Sequence, residues 1–275
     1  MDLGLDGKVA LVAGGSSGLG LAAALELARE GAHVAIGARD PARLADAART
    51  LAAEARGRVH TTSVDITDQA QVDRWVADVA AEFGAVHIVL VCGAGPPIGG
   101  AADFTVADYD AALGLVLLPA VRVALAALPR LRAAGWGRIL FVASETASVP
   151  EARLALSGVT RAGIVRFAQS LACQVGRDGI TVNVLAPAAT RTPPIERAAA
   201  RMAGDGDVEA VLASMGAHNA LGRIAEPAEF AAVVAFLAGT RASFVTGGVH
   251  LIDGGSSALG TGLPYLANAA KNTFT

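Results

Sequence analysis

Val9-Ala10-Leu11-Val12-Ala13-Gly14-Gly15-Ser16-Ser17-Gly18-Leu19-Gly20 joins five apolar residues, a glycine-rich bend and the start of a helical pattern running Leu19–Arg29. A five-residue apolar run is too short for a typical helix and reads as a buried strand. Glycines 14, 18 and 20 stand where a strand must turn sharply, where a phosphate could approach the backbone closely, and where a helix must pack on the sheet. The helix start then offers unpaired N–H groups and the positive end of its dipole to an anion. A structural turn alone would also use glycines. Placed between the first strand and the first helix, the stretch predicts a phosphate cradle built from Gly14, Ser16, Ser17, Gly18, Leu19 and Gly20.

Outward from that unit the pattern repeats. Short runs at Val9–Ala13, His33–Ala38, Arg58–Val64, Val86–Val91, Arg138–Ala143, Thr181–Ala186 and Val249–Ile252 read as fully buried strands. Helical patterns fill the gaps at Leu19–Arg29, Pro41–Ala55, Gln69–Phe83, Ala107–Ala133, Leu154–Gly176 and Pro227–Leu237. In the fifth, Ile164, Phe167 and Leu171 form a core-facing stripe. Strand–helix alternation with short connections predicts an α/β fold in one domain, residues 1–275: a doubly wound parallel sheet that binds ligands at the strands' carboxyl ends. Two stretches interrupt it. Residues 190–223, rich in Gly, Pro and Ala, read as a flap over substrate. The tail, 254–275, begins Gly- and Ser-rich and carries no clear pattern.

Composition narrows the function. Of 275 residues, 53% are apolar and 17% charged, which excludes a disordered chain. A net charge of −3 provides no basic field for nucleic acid. The apolar stretch Leu113–Pro129, broken by Arg122, falls short of the roughly 20 residues of a membrane span. Two cysteines, Cys92 and Cys173, form no disulfide framework, and Met1-Asp2-Leu3-Gly4 lacks the start of a secretory signal, so a cytoplasmic location is expected. No metal site is expected.

The second strand ends Ile36-Gly37-Ala38-Arg39. An acidic residue at the Ala38 position would accept from ribose hydroxyls and select NAD; the Arg39 guanidinium suits a 2′-phosphate, which favours NADP(H). Asp65, followed by Ile66, either accepts from the adenine amino group or caps the turn at Thr67-Asp68.

These residues resemble the short-chain dehydrogenase/reductase family, and the likeness covers nearly the whole chain. Gly14, Gly18 and Gly20 match its glycine loop, and Asp65 its adenine-side aspartate. Cys92-Gly93-Ala94-Gly95 falls where the family usually has Asn-Asn-Ala-Gly. Ile180-Thr181-Val182-Asn183 with Ala186-Pro187 matches the sixth strand, and Thr192 the threonine that touches the nicotinamide amide. Gly222-Arg223, Glu226-Pro227, Thr246-Gly247-Gly248 and Asp253-Gly254-Gly255 match the closing segment. The resemblance implies a Rossmann-like fold, nucleotide contacts at Gly93, Ala94, Gly95, Pro187 and Thr192, and a homo-oligomer, most simply a tetramer. Ala124, Ala126, Ala127, Ala168 and Ala172 suit close helix contact.

The catalytic positions depart from the family. Its apparatus is a serine after the fifth strand, a tyrosine thirteen residues on, a lysine four further, and an asparagine in the preceding long helix. Ser144 is present; Ser157 stands for the tyrosine, Arg161 for the lysine and Val116 for the asparagine. Ser157 and Arg161, four apart, share a helix face that could look toward Ser144. A serine hydroxyl is a far weaker acid than a phenol, and a guanidinium does not release its proton. Arg161 could still grip ribose hydroxyls or an oxyanion. Substitute proton donors include Tyr265 in the tail, Glu145 and Glu151, which otherwise read as solvated loop carboxylates, His218, otherwise an exposed loop histidine, and a water in the volume of the missing ring, while Tyr109 reads as packing and Cys92 as a small buried apolar residue.

The leading expectation is an NADP-dependent oxidoreductase acting on a small carbonyl, imine or activated alkene with non-standard proton delivery. Losing Tyr, Lys and Asn together also fits a catalytically inactive nucleotide-binding subunit, as a hetero-oligomer with an active relative. A third reading is a non-redox lyase or cyclase. Halohydrin dehalogenases, relatives that carry arginine for lysine, keep the tyrosine and lack the glycine loop, the reverse of this chain.

Overall fold

Seven strands, β1 (Val9–Ala13), β2 (His33–Ala38), β3 (Val59–Ser63), β4 (Ile88–Val91), β5 (Gly137–Val142), β6 (Ile180–Pro187) and β7 (Val249–Ile252), pair in parallel in the order β3-β2-β1-β4-β5-β6-β7. The computed structural model describes residues 1–259; the sequence-based expectations for Tyr265 and most of the tail lie outside the described residues. Strand order runs one way from β1 to β3 and the other way from β4 to β7. The reversal between β1 and β4, where Val12 pairs with both Ile36 and Leu90, opens a crevice at the carboxyl ends.

Helices α1 (Gly18–Arg29), α2 (Pro41–Glu54), α3 (Gln69–Phe83), α4 (Val106–Ala112), α5 (Leu118–Ala134), α6 (Ala155–Val175), α7 (Pro193–Ala203), α8 (Val208–Gly216) and α9 (Pro227–Ala238) follow the strands. The two-residue period of a strand divides the core. Val9, Leu11 and Ala13 face the layer of α3, α5 and α6, while Ala10 and Val12 face that of α1, α2 and α9. Buried large residues such as Leu11, Ile139 and Phe141 each stabilise the sheet by ~2 kcal/mol.

Two sequence expectations need correction. The edge strands are not fully buried: β3 is mostly half-buried, its His60, Thr61 and Thr62 included, and Leu251 of β7 is exposed. Each has a neighbouring strand on one side only. The fourth helix is interrupted, since Leu113–Leu117 widens into a π-helical turn between α4 and α5. Pro119 follows at once; it lacks the N–H that an unbroken helix would direct back one turn, which accounts for the widening there. The whole span Val106–Ala134, 29 residues, is long and apolar enough by composition to cross a bilayer, longer than the stretch read from the sequence. Its apolarity is used against the sheet, with Val123, Ala124, Ala127 and Leu131 fully buried.

Residues 190–223, read from the sequence as a flap, are largely helical. Pro193 and Pro194 start α7, where a missing N–H costs nothing. The α8 helix is capped by Asp207, whose carboxylate accepts from Glu209 N at 2.9 Å. Ala199, Leu212, Met215 and Ile224 form a small core of their own between these helices.

Candidate functional site

The crevice at the switch point begins at the glycine bend. Gly14 has φ +74°, and a Cβ there would run into the carbonyl oxygen of Cys92. A Cβ on Gly20 would strike the carbonyl of Gly14, so the helix packs on the bend only because that atom is absent. The helices that follow β1, β2 and β3 begin differently. Asp40 caps α2 by accepting from Ala42 N (3.0 Å) and Arg43 N (3.3 Å), and Asp68 caps α3 through Ala70 N (2.9 Å) and Gln71 N (3.2 Å). Ser17 at the start of α1 makes no side-chain capping bond. The first-turn amides of α1 are therefore left for another acceptor, without a carboxylate to repel an anion.

Among the sequence-predicted residues, Gly14, Ser16, Ser17, Gly18, Leu19, Arg39, Asp65, Ile66, Gly93, Ala94 and Thr192 line this crevice. Gly20, Gly95, Arg161 and Pro187 stand outside the lining, Gly20 being buried behind the bend. Asp65 does close the Thr67 turn: its Oδ1 accepts from Thr67 N (2.9 Å) and Thr67 Oγ1 (2.8 Å). The Thr67 amide, with the Thr67 hydroxyl and the Arg39 charge, holds this carboxyl below the usual range. Arg43 also lines the crevice and pairs with Asp40 at 3.3 Å. Sequence reasoning passed over it, although a second arginine four residues after Arg39 was the available signal.

The second cluster lies where β5 meets α6. Ser144 stands at the carboxyl end of β5, and its Oγ accepts from Thr146 N at 3.3 Å. Thr146 Oγ1 lies 3.1 Å from Ser157 Oγ. The Ser144 loop and Ser157 are thus joined through Thr146, a residue the sequence did not single out. Arg161 is only 7% exposed and spans two carbonyls, Nη1 donating to Val142 O (2.6 Å) and Nη2 to Ala94 O (3.1 Å), while its Nε has no partner. This corrects the picture of a guanidinium looking toward Ser144 or gripping a ribose: both terminal nitrogens bind backbone, stapling the end of β5 to the loop after β4. Burial pushes its pKa down. Val116 packs in the core.

The remaining candidates separate cleanly. Tyr109 donates to Ala101 O (3.1 Å) and meets Phe104 edge-on, a packing role. Cys92 is half-buried at the crevice, and burial pushes its thiol up. His218 is half-buried in the turn after α8. Glu145 is no solvated loop carboxylate: it is 3% exposed, accepts from Ser256 Oγ at 2.5 Å, and its Oε1 has no partner among the described residues. Burial, reinforced by Asp253 and Glu151 against the Ser256 bond, raises it to about 7.

With the fold and the crevice described, comparison with known proteins identifies the family. Residues 13–257 match a protein-family profile described as enoyl-(acyl carrier protein) reductase. The chain belongs to the short-chain dehydrogenase/reductase family. Among its relatives, cis-4-hydroxycyclohexanecarboxylate dehydrogenase of Sinomonas cyclohexanicum is 33% identical over 92% of this chain and 97% of its own length. D-threitol dehydrogenase of Mycolicibacterium smegmatis is 32% identical over 92% and 94%. Among solved structures, L-sorbose reductase of Gluconobacter frateurii, complexed with NADPH and L-sorbose, superposes with a TM-score of 0.89 at 34% identity, covering 93% of this chain and 98% of that one.

Proposed function

We propose that this short-chain dehydrogenase/reductase is an NADP(H)-dependent oxidoreductase acting on a small carbonyl, imine or activated alkene. The observation that carries the reading is the crevice itself, with an uncapped helix start at one end and Arg39 beside Arg43 at the other. The open amides of α1 suit a pyrophosphate, and the arginines suit a 2′-phosphate where Ala38 replaces an acidic residue. The NADPH complex of the sorbose reductase and the dehydrogenase relatives support it. When bound, the coenzyme supplies the hydride; the chain supplies position and electrostatics.

Ser144 is the group we assign to the substrate oxygen. Its Oγ already accepts from Thr146 N, so its own proton is free to be donated. Arg161 acts beneath it as a staple through the Val142 and Ala94 carbonyls, and Ser157 supports the loop through Thr146. Proton delivery is therefore non-standard. We extend the reading to a cytoplasmic homo-oligomer, with exposed Leu118, Leu125 and Val159 on α5 and α6 as contact surface. A tetramer is its simplest form, and sedimentation as a monomer at micromolar concentration would remove that extension.

Titration with NADPH and NADH, followed by nicotinamide fluorescence and by turnover on a panel of small ketones, imines and activated alkenes, tests the proposal. NADPH preference with turnover is expected; failure of both coenzymes to bind discards it. A second reading, a nucleotide-binding subunit without turnover, draws on the engagement of Arg161 with backbone and of Ser157 with Thr146. Tight NADPH binding without turnover across the panel favours that reading.

A further inference from the structure

The most unusual group outside the assigned machinery is the carboxyl of Glu145. It lies 111 residues from Ser256 in sequence, yet the two side chains meet at 2.5 Å with 3% and 4% exposure. We propose that Glu145 and Ser256 clasp the segment that follows β7 to the Ser144 loop, making Glu145 a positioning residue for both. The segment beyond β7 is itself ordered as a compact turn. Asp253 accepts from Gly255 N and Ser257 N, each at 2.9 Å, and Ser256 N donates to Asp253 O. Ser256 is thereby presented to Glu145 from a fixed scaffold, and Glu145 is bonded directly to Ser144.

The clasp responds to pH because of what surrounds it. Among the described residues, the charged groups acting on Glu145 are the carboxylates of Asp253, from the turn after β7, and Glu151, from the bend after the Ser144 loop. Strand β6, which runs between, carries no titratable side chain, and His250 of β7 is turned to Asn183 Oδ1. Arg161 of α6 is spent on the Val142 and Ala94 carbonyls. Burial would also raise Asp253, but bonds from Ser257 and the Gly255 amide hold it below the usual carboxylate range, so it stays ionised. Among the described residues, an ionised Glu145 would face that charge with one donor, on Oε2, and none on Oε1. The Ser256 hydroxyl favours the ionised form, yet a single bond does not replace the hydration both oxygens give up. Clasping is accordingly complete below the ordinary carboxyl value of 4.5, weakens as the pH climbs, and reaches its weak limit above about 7.

Hydrogen–deuterium exchange of the peptide spanning 252–259, corrected for the intrinsic pH dependence of exchange, tests this without coenzyme or substrate. In the wild type, protection falls by up to about tenfold per pH unit across that window and then levels off. Glu145→Gln, which keeps an acceptor for Ser256, makes protection independent of pH; Ser256→Ala lowers it at the acid end. An infrared band of a protonated carboxyl that persists toward neutral pH and vanishes in Glu145→Gln is the second expected signature. Wild-type protection as flat as that of Glu145→Gln, or a Glu145 carboxyl titrating at its ordinary value, overturns the proposal. Its effect on turnover rests on the oxidoreductase reading: Glu145→Gln should flatten the pH profile of kcat/KM, and an unchanged profile severs that link while leaving the exchange result to stand alone.

Discussion

The two halves of the sheet's carboxyl edge are built differently. Around β1, β2 and α1 the bend is kept open: Gly14 and Gly20 carry no Cβ, α1 has no capping carboxylate, and Ala38 stands where an acidic residue could. Around β5 and α6 the framework is equally well built, but its polar groups bind one another. Ser157 holds Thr146, Arg161 holds two carbonyls, Glu145 holds Ser256. One half is organised to receive a ligand, the other to hold itself together. On the proposed reading, nucleotide binding and proton transfer would be separable in this chain.

The strongest way to break that comparison is Gly14→Ala. Left-handed backbone costs a non-glycine residue roughly 1–2 kcal/mol, and the new Cβ also meets the Cys92 carbonyl. NADPH affinity should fall by about a hundredfold or more, read by fluorescence, with a lowered melting temperature; unchanged affinity would mean that the bend is not the cradle. A change in the other half sharpens the contrast. Ser157→Tyr combined with Arg161→Lys restores a phenol and an ammonium to α6, and a positioned general acid contributes about 10²-fold or more. The double variant should raise kcat by about that factor on the best carbonyl of the panel while NADPH affinity holds. Arg39→Ala comes next: losing a charge-assisted bond of about 1.5–3 kcal/mol should weaken NADPH roughly tenfold or more and leave NADH unaffected. Equal weakening of both would detach Arg39 from the 2′-phosphate.

How much of this was legible in the sequence follows the same division. The glycine bend and the alternation of apolar runs placed the sheet, most of the helices and the crevice, because local backbone demands decide them. α3 runs Gln69–Phe83, as its periodicity predicts. Residues 190–223 read only as a Gly-, Pro- and Ala-rich flap; the helices inside it, one started at Pro193 and one capped by Asp207, were not legible in that composition. The side-chain partners around Ser144 were illegible for another reason. Four-residue spacing places Ser157 and Arg161 on one face of a helix, but only tertiary packing decides that the guanidinium turns to Val142 and Ala94. Glu145 read as solvated because its partner Ser256 lies 111 positions away.

The smallest effect separates two carboxylates displaced in opposite directions. Glu145 is raised to about 7 by burial, while Glu229 is lowered to about 2 by Arg223, which meets it at 2.7 Å through both carboxylate oxygens. The signs differ. A raised carboxyl adds stability below its unfolded value that is lost on the way up to about 7; a depressed one adds stability above its unfolded value that is lost as the pH falls toward about 2. The magnitudes differ as well. Glu145 is buried, and its displacement corresponds to ~3 kcal/mol, whereas Arg223 and Glu229 are 52% and 44% exposed, so water and salt screen their pair. Melting curves across the neutral range should therefore keep their wild-type slope in Glu229→Gln and lose it in Glu145→Gln. Below about pH 4 the roles exchange: Glu229→Gln should flatten the acid limb slightly, and added salt should erase even that difference. A neutral-range slope that followed Glu229 instead would place the pH-sensitive element on the surface, away from the Ser144 loop.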